Sequence, residues 1–317
     1  MVEEHLNWMI KKKVLITPEG ITKIKLDKKY FLSKKINYFF TGKIINSKSN
    51  LKDILKKFDG CIIGSEKIDK EIIDNCPKLK GIVRFGVGMD NIDIEYAKKK
   101  NIVVKNVVAK SISQAVSIHS IGLILALTQN LKCHIDDSKS GKWLRHLNLF
   151  PKNTSVGVAG AGNIGQKVIS YLVELGFRVN YFSRKKKLNL NKKGAKFFKD
   201  LNDLINKSDI ITVHLPSIKN EPPFFDKERL KKMKNKYLVN LSRGALIDEN
   251  ALIKKLDDGT IKLYATDVFT FEPPSKISKS LLMHPKVLST AHVGGYNKES
   301  LKEVGKVALR KINKILT

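Results

Sequence analysis

Three residues of kinds that do acid, base and anion-binding work lie in the last quarter of the chain. Arg243 stands in "NLSRGALIDENAL" (240–252), Glu272 with Asp267 in "ATDVFTFEPP" (265–274), and His292 in "STAHVGGY" (289–296). Each stretch begins as a strand reads, and in an open α/β sheet the carboxyl ends of strands form the rim of the binding crevice. An arginine, a carboxylate and a histidine gathered there suit reduction of a keto acid. Arg243 can clamp the substrate carboxylate and polarise the ketone, for which its fixed fork outperforms a lysine. His292 can protonate the oxygen as hydride arrives, and Glu272 can keep that imidazole oriented and cationic. Each residue also has a plainer reading: Arg243 capping a turn, Glu272 an exposed loop acid, His292 a hydrogen-bonded core histidine. Their joint placement after successive strands favours the chemical one.

A hydride donor has its own signature upstream. In "TSVGVAGAGNIGQKVISYLVELGFRVNYFSRKKK" (154–187), Gly160, Gly162 and Gly165 form G-x-G-x-x-G where an apolar run hands over to an amphipathic segment. A small-residue turn of this kind lets backbone approach a pyrophosphate, with the amides of Asn163 and Ile164 at the helix start pointing at it. An acidic residue about 20 positions on ordinarily takes the adenosine ribose. Here the second strand ends instead in Ser183, Arg184, Lys185, Lys186 and Lys187. Loss of the acid and gain of a base together favour NADP over NAD, although Arg184 in so basic a chain could simply face solvent.

These residues need a frame of alternating strands and helices. From residue 13 to about 105, "KVLITP", "GCIIGS", "LKGIVRFG" and "IVVKNV" read as strands and "NLKDILKKF", "KEIIDNC" and "IEYAKKKN" as helices, the pattern of βαβ units. "SISQAVSIHSIGLILALTQNL" (111–131) is too long for a strand and reads as a helix bridging two domains. A second alternation follows from Thr154, with strands at "VGVAG", "VNYF", "IITVHLP", "YLVNLS", "LYATDVF" and "VLSTAH", and a last helix in "LKEVGKVALRKINKIL". The expected fold class is α/β, two Rossmann-like domains with parallel sheets. Residues 1–105 and 292–317 would form a flavodoxin-like substrate domain and 106–291 the dinucleotide-binding domain, with the active site in the cleft between them.

Composition narrows the function classes. The chain has 317 residues, comfortable for two domains, with 60 Lys and Arg against 30 Asp and Glu. A formal charge of +30 invites a nucleic-acid reading. Yet the lysines spread over almost every expected helix, with no basic aromatic stripe, so no dedicated nucleic-acid partner is expected. Cys61, Cys76 and Cys133 are too far apart in sequence for a C-x-x-C site and read as thiols of a reducing compartment. The start, "MVEEHLNWMIKKK", lacks the apolar run of a signal peptide. The apolar run "IGLILAL" falls short of the about 20 residues of a membrane helix. A cytoplasmic protein without membrane contact is expected. His5, His134, His146 and His284 show no metal-ligand spacing, so no metal is assigned, and His119 on its apolar helix reads as structural.

Taken in order, "GVGMDNID" (86–93), "GKW" (141–143), "GAGNIG" (160–165), "HLP" (214–216), "LSRGALIDE" (241–249), "DVFTFEPP" (267–274) and "AHVGG" (291–295) resemble the D-isomer-specific 2-hydroxyacid dehydrogenases. This is the family of phosphoglycerate dehydrogenase, glyoxylate/hydroxypyruvate reductase and D-lactate dehydrogenase. The resemblance implies catalytic Arg243, Glu272 and His292, Asp267 on the nicotinamide carboxamide, and backbone at Val87 and Gly88 holding the substrate carboxylate. It further implies cofactor contacts at His214, Pro216, Leu241 and Gly294, Ser183 at the place of the ribose-binding aspartate, and a homodimer formed through the cofactor domain. Ser111, Ser117, Glu221-Pro222 and Ala291 depart from the family's usual residues, and no regulatory domain is expected after the last helix. A dinucleotide-sensing binding protein of the co-repressor type shares this fold and is the alternative reading.

Overall fold

A computed structural model of the chain describes residues 11–24, 26, 28–31, 35–41, 48–217, 221–275 and 277–317. The N-terminal stretch with His5 lies outside the described residues. The chain divides into two units, one of Met1–Ile112 with Tyr296–Thr317 and one of Ser113–Gly295.

The first unit is a five-stranded sheet of β1 (Lys12–Ile16), β2 (Ile36–Phe40), β3 (Gly60–Ile63), β4 (Gly81–Arg84) and β5 (Val103–Asn106), in the order β2-β1-β3-β4-β5 with every pair parallel. That is the flavodoxin-like order. β3 is buried at all four positions, as expected of a parallel strand covered on both faces. Helix Lys298–Leu316 lays Val304, Ala308, Leu309 and Ile312 against Val14, Ile62 and Val83. Gly60 and Gly81 give it room, since a Cβ at either would strike Ile312 or Ile315 at under 3 Å.

The second unit has seven parallel strands: β6 (Ser155–Ala159), β7 (Arg178–Phe182), β8 (Lys196–Phe198), β9 (Ile210–Val213), β10 (Lys236–Asn240), β11 (Ile261–Thr266) and β12 (Val287–Ser289). Their order is β12-β11-β10-β9-β6-β7-β8. Strand order reverses between β6 and β9, so the carboxyl ends of that pair open the crevice where a dinucleotide-binding sheet takes its ligand.

Two sequence expectations change here. The helix expected over 111–131 runs Lys110–Thr128 and stops, because Asn130 takes a left-handed φ of 45° and a separate helix, Leu131–Lys139, begins. Lys110–Thr128 is also the one helix among the described residues long and apolar enough to cross a membrane, which the seven residues "IGLILAL" did not suggest. Its Leu123, Ile124 and Leu127 are buried in one cluster with Val156, Val158 and Val239, as a core helix of the second unit would be.

Candidate active site

The glycine turn leaves β6 at Ala159 and enters helix Asn163–Glu174 through Gly162. Gly160 has φ 109°, and a Cβ there would come within 2.4 Å of the His214 carbonyl oxygen. A Cβ on Gly165 would come within 1.9 Å of the Gly160 carbonyl oxygen, so the helix can approach the strand this closely only with glycine. Gly162 faces open space, with no atom within 4 Å of where a Cβ would sit. The helix beyond it has no side-chain cap and no acid in its first turn. Exposed amides at the positive end of a 12-residue helix, with room in front, fit a pyrophosphate.

Arg243 starts the short turn after β10. Buried Asn240 organises that turn: its side-chain amide donates to the Arg243 carbonyl at 2.9 Å, and its Oδ1 accepts the Ser242 amide at 3.0 Å. Ser242 Oγ donates to the Val213 carbonyl of the neighbouring strand at 2.8 Å. The next residue, Gly244, packs so tightly on the loop after β11 that a Cβ would lie 2.0 Å from the Phe269 carbonyl carbon. The segment bearing Arg243 is thereby pressed onto the segment bearing Glu272. A second clamp lies behind it. Buried Glu249 accepts the Thr270 amide at 2.8 Å and the Ser278 hydroxyl at 2.6 Å.

Glu272 and His292 meet directly. Glu272 Oε1 accepts the Phe269 amide at 3.0 Å, and Oε2 lies 2.6 Å from His292 Nδ1. A carboxylate only accepts, so the Nδ1 proton is fixed towards Glu272 and Nε2 is the ring atom left to act. His292 has φ 54°, a left-handed conformation that costs a residue with a Cβ about 1–2 kcal/mol. Asp267 holds it there. The Asp267 carbonyl accepts the His292 amide at 2.9 Å, and its carboxylate accepts the Val293 and Gly294 amides at 2.8 Å each and the Thr290 hydroxyl at 2.5 Å. Burial alone would raise the Asp267 pKa; the His119 ring 3.7 Å from its Oδ1 and hydrogen bonds from Thr290, Val293 and Gly294 outweigh it and hold the group below its ordinary value. Asp267 therefore shapes the loop that presents His292, a role its position in the sequence did not reveal.

The other expected site residues fall as follows. Ser183 and Arg184 come directly after β7, with the Ser183 hydroxyl donating to the Lys185 carbonyl at 2.6 Å and Arg184, Lys185 and Lys186 exposed. His214 follows β9, its Nε2 2.9 Å from Thr212 Oγ1, and burial pushes its pKa down to about 4. It is a neutral ring at pH 7, not an acid. Leu241 is buried after β10 and Pro216 is exposed after β9. The Gly294 amide is spent on Asp267. In the first unit Val87 is exposed at a turn after β4, and Asn106 holds its carbonyl at 2.7 Å. Three contributors were missed in the sequence: Asn240, the last residue of β10, Glu249, at the start of helix Glu249–Asp257, and Thr290, just after β12.

Residues 121–294 match the family model described as D-isomer specific 2-hydroxyacid dehydrogenase, NAD binding domain. The chain is similar to a D-3-phosphoglycerate dehydrogenase of Methanocaldococcus jannaschii, 35% identical over 277 residues, which are 85% of this chain and 52% of that protein. It thus spans about half the length of that relative. A hydroxypyruvate reductase of Thermotoga maritima is 33% identical over 277 residues, 85% of this chain and 88% of the relative. Among solved structures, a D-lactate dehydrogenase from Aquifex aeolicus complexed with NAD and lactic acid is similar with a TM-score of 0.81 and 26% identity, covering 95% of this chain and 94% of that one. The relatives named here are dehydrogenases and reductases, so the co-repressor alternative is not favoured. On the match to the NAD-binding model and these identities, the chain belongs to the D-isomer-specific 2-hydroxyacid dehydrogenase family, whose members are oxidoreductases.

Proposed function

We propose that this chain reduces a 2-oxo acid to the D-2-hydroxy acid and prefers NADPH to NADH. The observation that carries the reading is the 2.6 Å pair of Glu272 and His292 on a loop at the strand ends of the dinucleotide-binding sheet. The bound nicotinamide cofactor supplies the hydride. Arg243 clamps the substrate carboxylate and polarises the ketone, His292 Nε2 delivers the proton to the ketone oxygen, and Glu272 holds the ring for that transfer. Val87 and Gly88 backbone amides bind the substrate carboxylate. In this reading the unit Ser113–Gly295 is the cofactor domain and the other unit the substrate domain. Gly160, Gly162, Asn163, Ile164 and Gly165 take the pyrophosphate, and His214, Pro216, Leu241, Asp267 and Gly294 contribute to the rest of the cofactor site. Two free cysteines buried in the first unit, Cys61 and Cys76, support a reducing, cytoplasmic setting.

The cofactor preference rests on charge. From residue 175 to residue 199 the chain contains no acid, so the segment that directly follows β7 carries no carboxylate to repel a 2′-phosphate. Arg184 and its neighbouring lysines are exposed there to pair with one. The test is kcat/KM for NADPH over NADH across a panel of 2-oxo acids, phosphorylated and not, in wild type and in Ser183→Asp/Arg184→Ala. The wild type should favour NADPH, and the double change should move the ratio towards NADH by about tenfold, roughly 1.4 kcal/mol. A wild type that prefers NADH, with a ratio indifferent to the substitutions, defeats the preference. No turnover on any 2-oxo acid defeats the activity.

A homodimer through the cofactor domain is supported by an apolar surface on the second unit. Helix Leu131–Lys139 has no buried residue and exposes Leu131 and Ile135, while the following loop leaves Trp143 85% and Leu147 94% exposed. Large apolar side chains gathered this way mark an association surface. Sedimentation should report a dimer that Trp143→Asp/Leu147→Asp converts to a monomer; a monomeric wild type would remove the proposal.

A further inference from the structure

His119, on the core helix Lys110–Thr128, makes a contact that none of the roles above uses. Its Nε2 lies 3.0 Å from Thr290 Oγ1, which in turn donates to Asp267 Oδ1 at 2.5 Å. His119 Nε2 is itself 3.7 Å from Asp267 Oδ1. A threonine hydroxyl has one proton, and here it goes to the carboxylate. The lone pair left on Oγ1 therefore faces His119, so Nε2 must carry a proton and donate. The chain of donors runs His119 Nε2–H to Thr290 Oγ1–H to the Asp267 carboxylate. The same carboxylate receives the Val293 and Gly294 amides and so sets the loop that holds His292 at its left-handed φ. The packing is close: a Cβ on Gly294 would lie 3.0 Å from Asp267 Oδ2 and 3.6 Å from His119 Cδ2.

We infer that His119 is a positioning residue for His292, acting through the Thr290 hydroxyl on Asp267 rather than by filling space. Without its donor, Thr290 Oγ1 loses the group that fixes its rotamer, and the hydroxyl's bond to Asp267 loses the polarisation that the imidazole N–H supplies. The 292–294 loop then loosens, and His292 Nε2 spends less of its time aimed at the reacting oxygen. A displacement of this kind acts on the chemical step rather than on binding of the 2-oxo acid. The inference rests on the proposed activity for its kinetic consequence, but the hydrogen-bond relay exists without it.

Two substitutions separate donation from packing. His119→Phe keeps a flat ring and removes the donor, whereas His119→Gln keeps a donor and removes the ring. In the cofactor-free protein, amide hydrogen exchange at Val293 and Gly294 should speed up about fivefold in His119→Phe, the size of one lost hydrogen bond, and return close to wild type in His119→Gln. With cofactor and 2-oxo acid, kcat should fall about tenfold in the phenylalanine variant with KM for the acid little changed, and recover in the glutamine variant. Thr290→Val should reproduce the phenylalanine phenotype, and combining the two should add nothing further; it also serves as the relay test if His119→Phe fails to fold. The reverse order, with phenylalanine behaving as wild type and glutamine impaired, would make His119 a packing residue and overturn the inference. Equal loss, or no change, in both His119 variants would overturn it too. A wild type inactive on every 2-oxo acid defeats the activity reading and leaves the exchange result standing on its own.

Discussion

His292→Ala should lower kcat by about 10²–10⁴-fold, the usual worth of a positioned acid-base group, while the dissociation constant for NADPH stays within about twofold of wild type. The split follows from geometry. In the proposed reaction His292 acts through its ring, while the loop holds it by its backbone, where the amide bonded to the Asp267 carbonyl survives the change. Alanine at φ 54° carries a left-handed cost similar to that of the histidine, so the melting temperature should barely move. Stopped-flow single turnovers with fluorescence titration of NADPH separate the two effects. Near-wild-type turnover would remove His292 from proton transfer and leave Glu272 as a structural partner.

Arg243→Lys should reduce kcat/KM for the 2-oxo acid by about 10²-fold or more, because an ammonium point charge cannot grip a carboxylate bidentately and reach the ketone as well. The turn itself should persist. Asn240 fixes it through the Arg243 backbone carbonyl, and Gly244 packs on Phe269 whatever side chain precedes it. A variant with wild-type kcat/KM would assign Arg243 to capping that turn, where its Nη1 already donates to the Ser242 carbonyl at 2.7 Å. Cofactor affinity is the control, and it should not change.

The parts of this fold legible in the sequence are those whose burial is complete. "GCII" and "SVGVA" are buried at every position and stand out as unbroken runs of small and apolar residues. β2, "INYFF", and β8, "KFF", are edge strands with mostly half-exposed or exposed residues, and they carry no alternation clear enough to separate them from loops. Helix Leu131–Lys139 buries nothing, so it has no apolar face to announce it, and only the backbone of Asn130 divides it from the helix before. The same division runs through the site. Arg243, Glu272 and His292 are reactive types just past strands, which the primary sequence displays. The polar residues that aim them do not stand out, because Asn240 reaches across a turn, Glu249 across 21 residues to Thr270, and His119 across 171 residues to Thr290. Those pairings exist only once β10, β11 and β12 lie side by side.

In the proposed reaction hydride and proton reach the 2-oxo acid from fixed directions, and the configuration of the product reports this most directly. Pyruvate and hydroxypyruvate, each incubated with the wild-type protein and NADPH and the products resolved by chiral chromatography, should give D-lactate and D-glycerate alone. His292→Ala should slow formation of the same enantiomers without altering the configuration, since the face attacked is set by binding rather than by the acid. An L product, a racemate, or oxidation of NADPH with no 2-hydroxy acid formed would contradict the account.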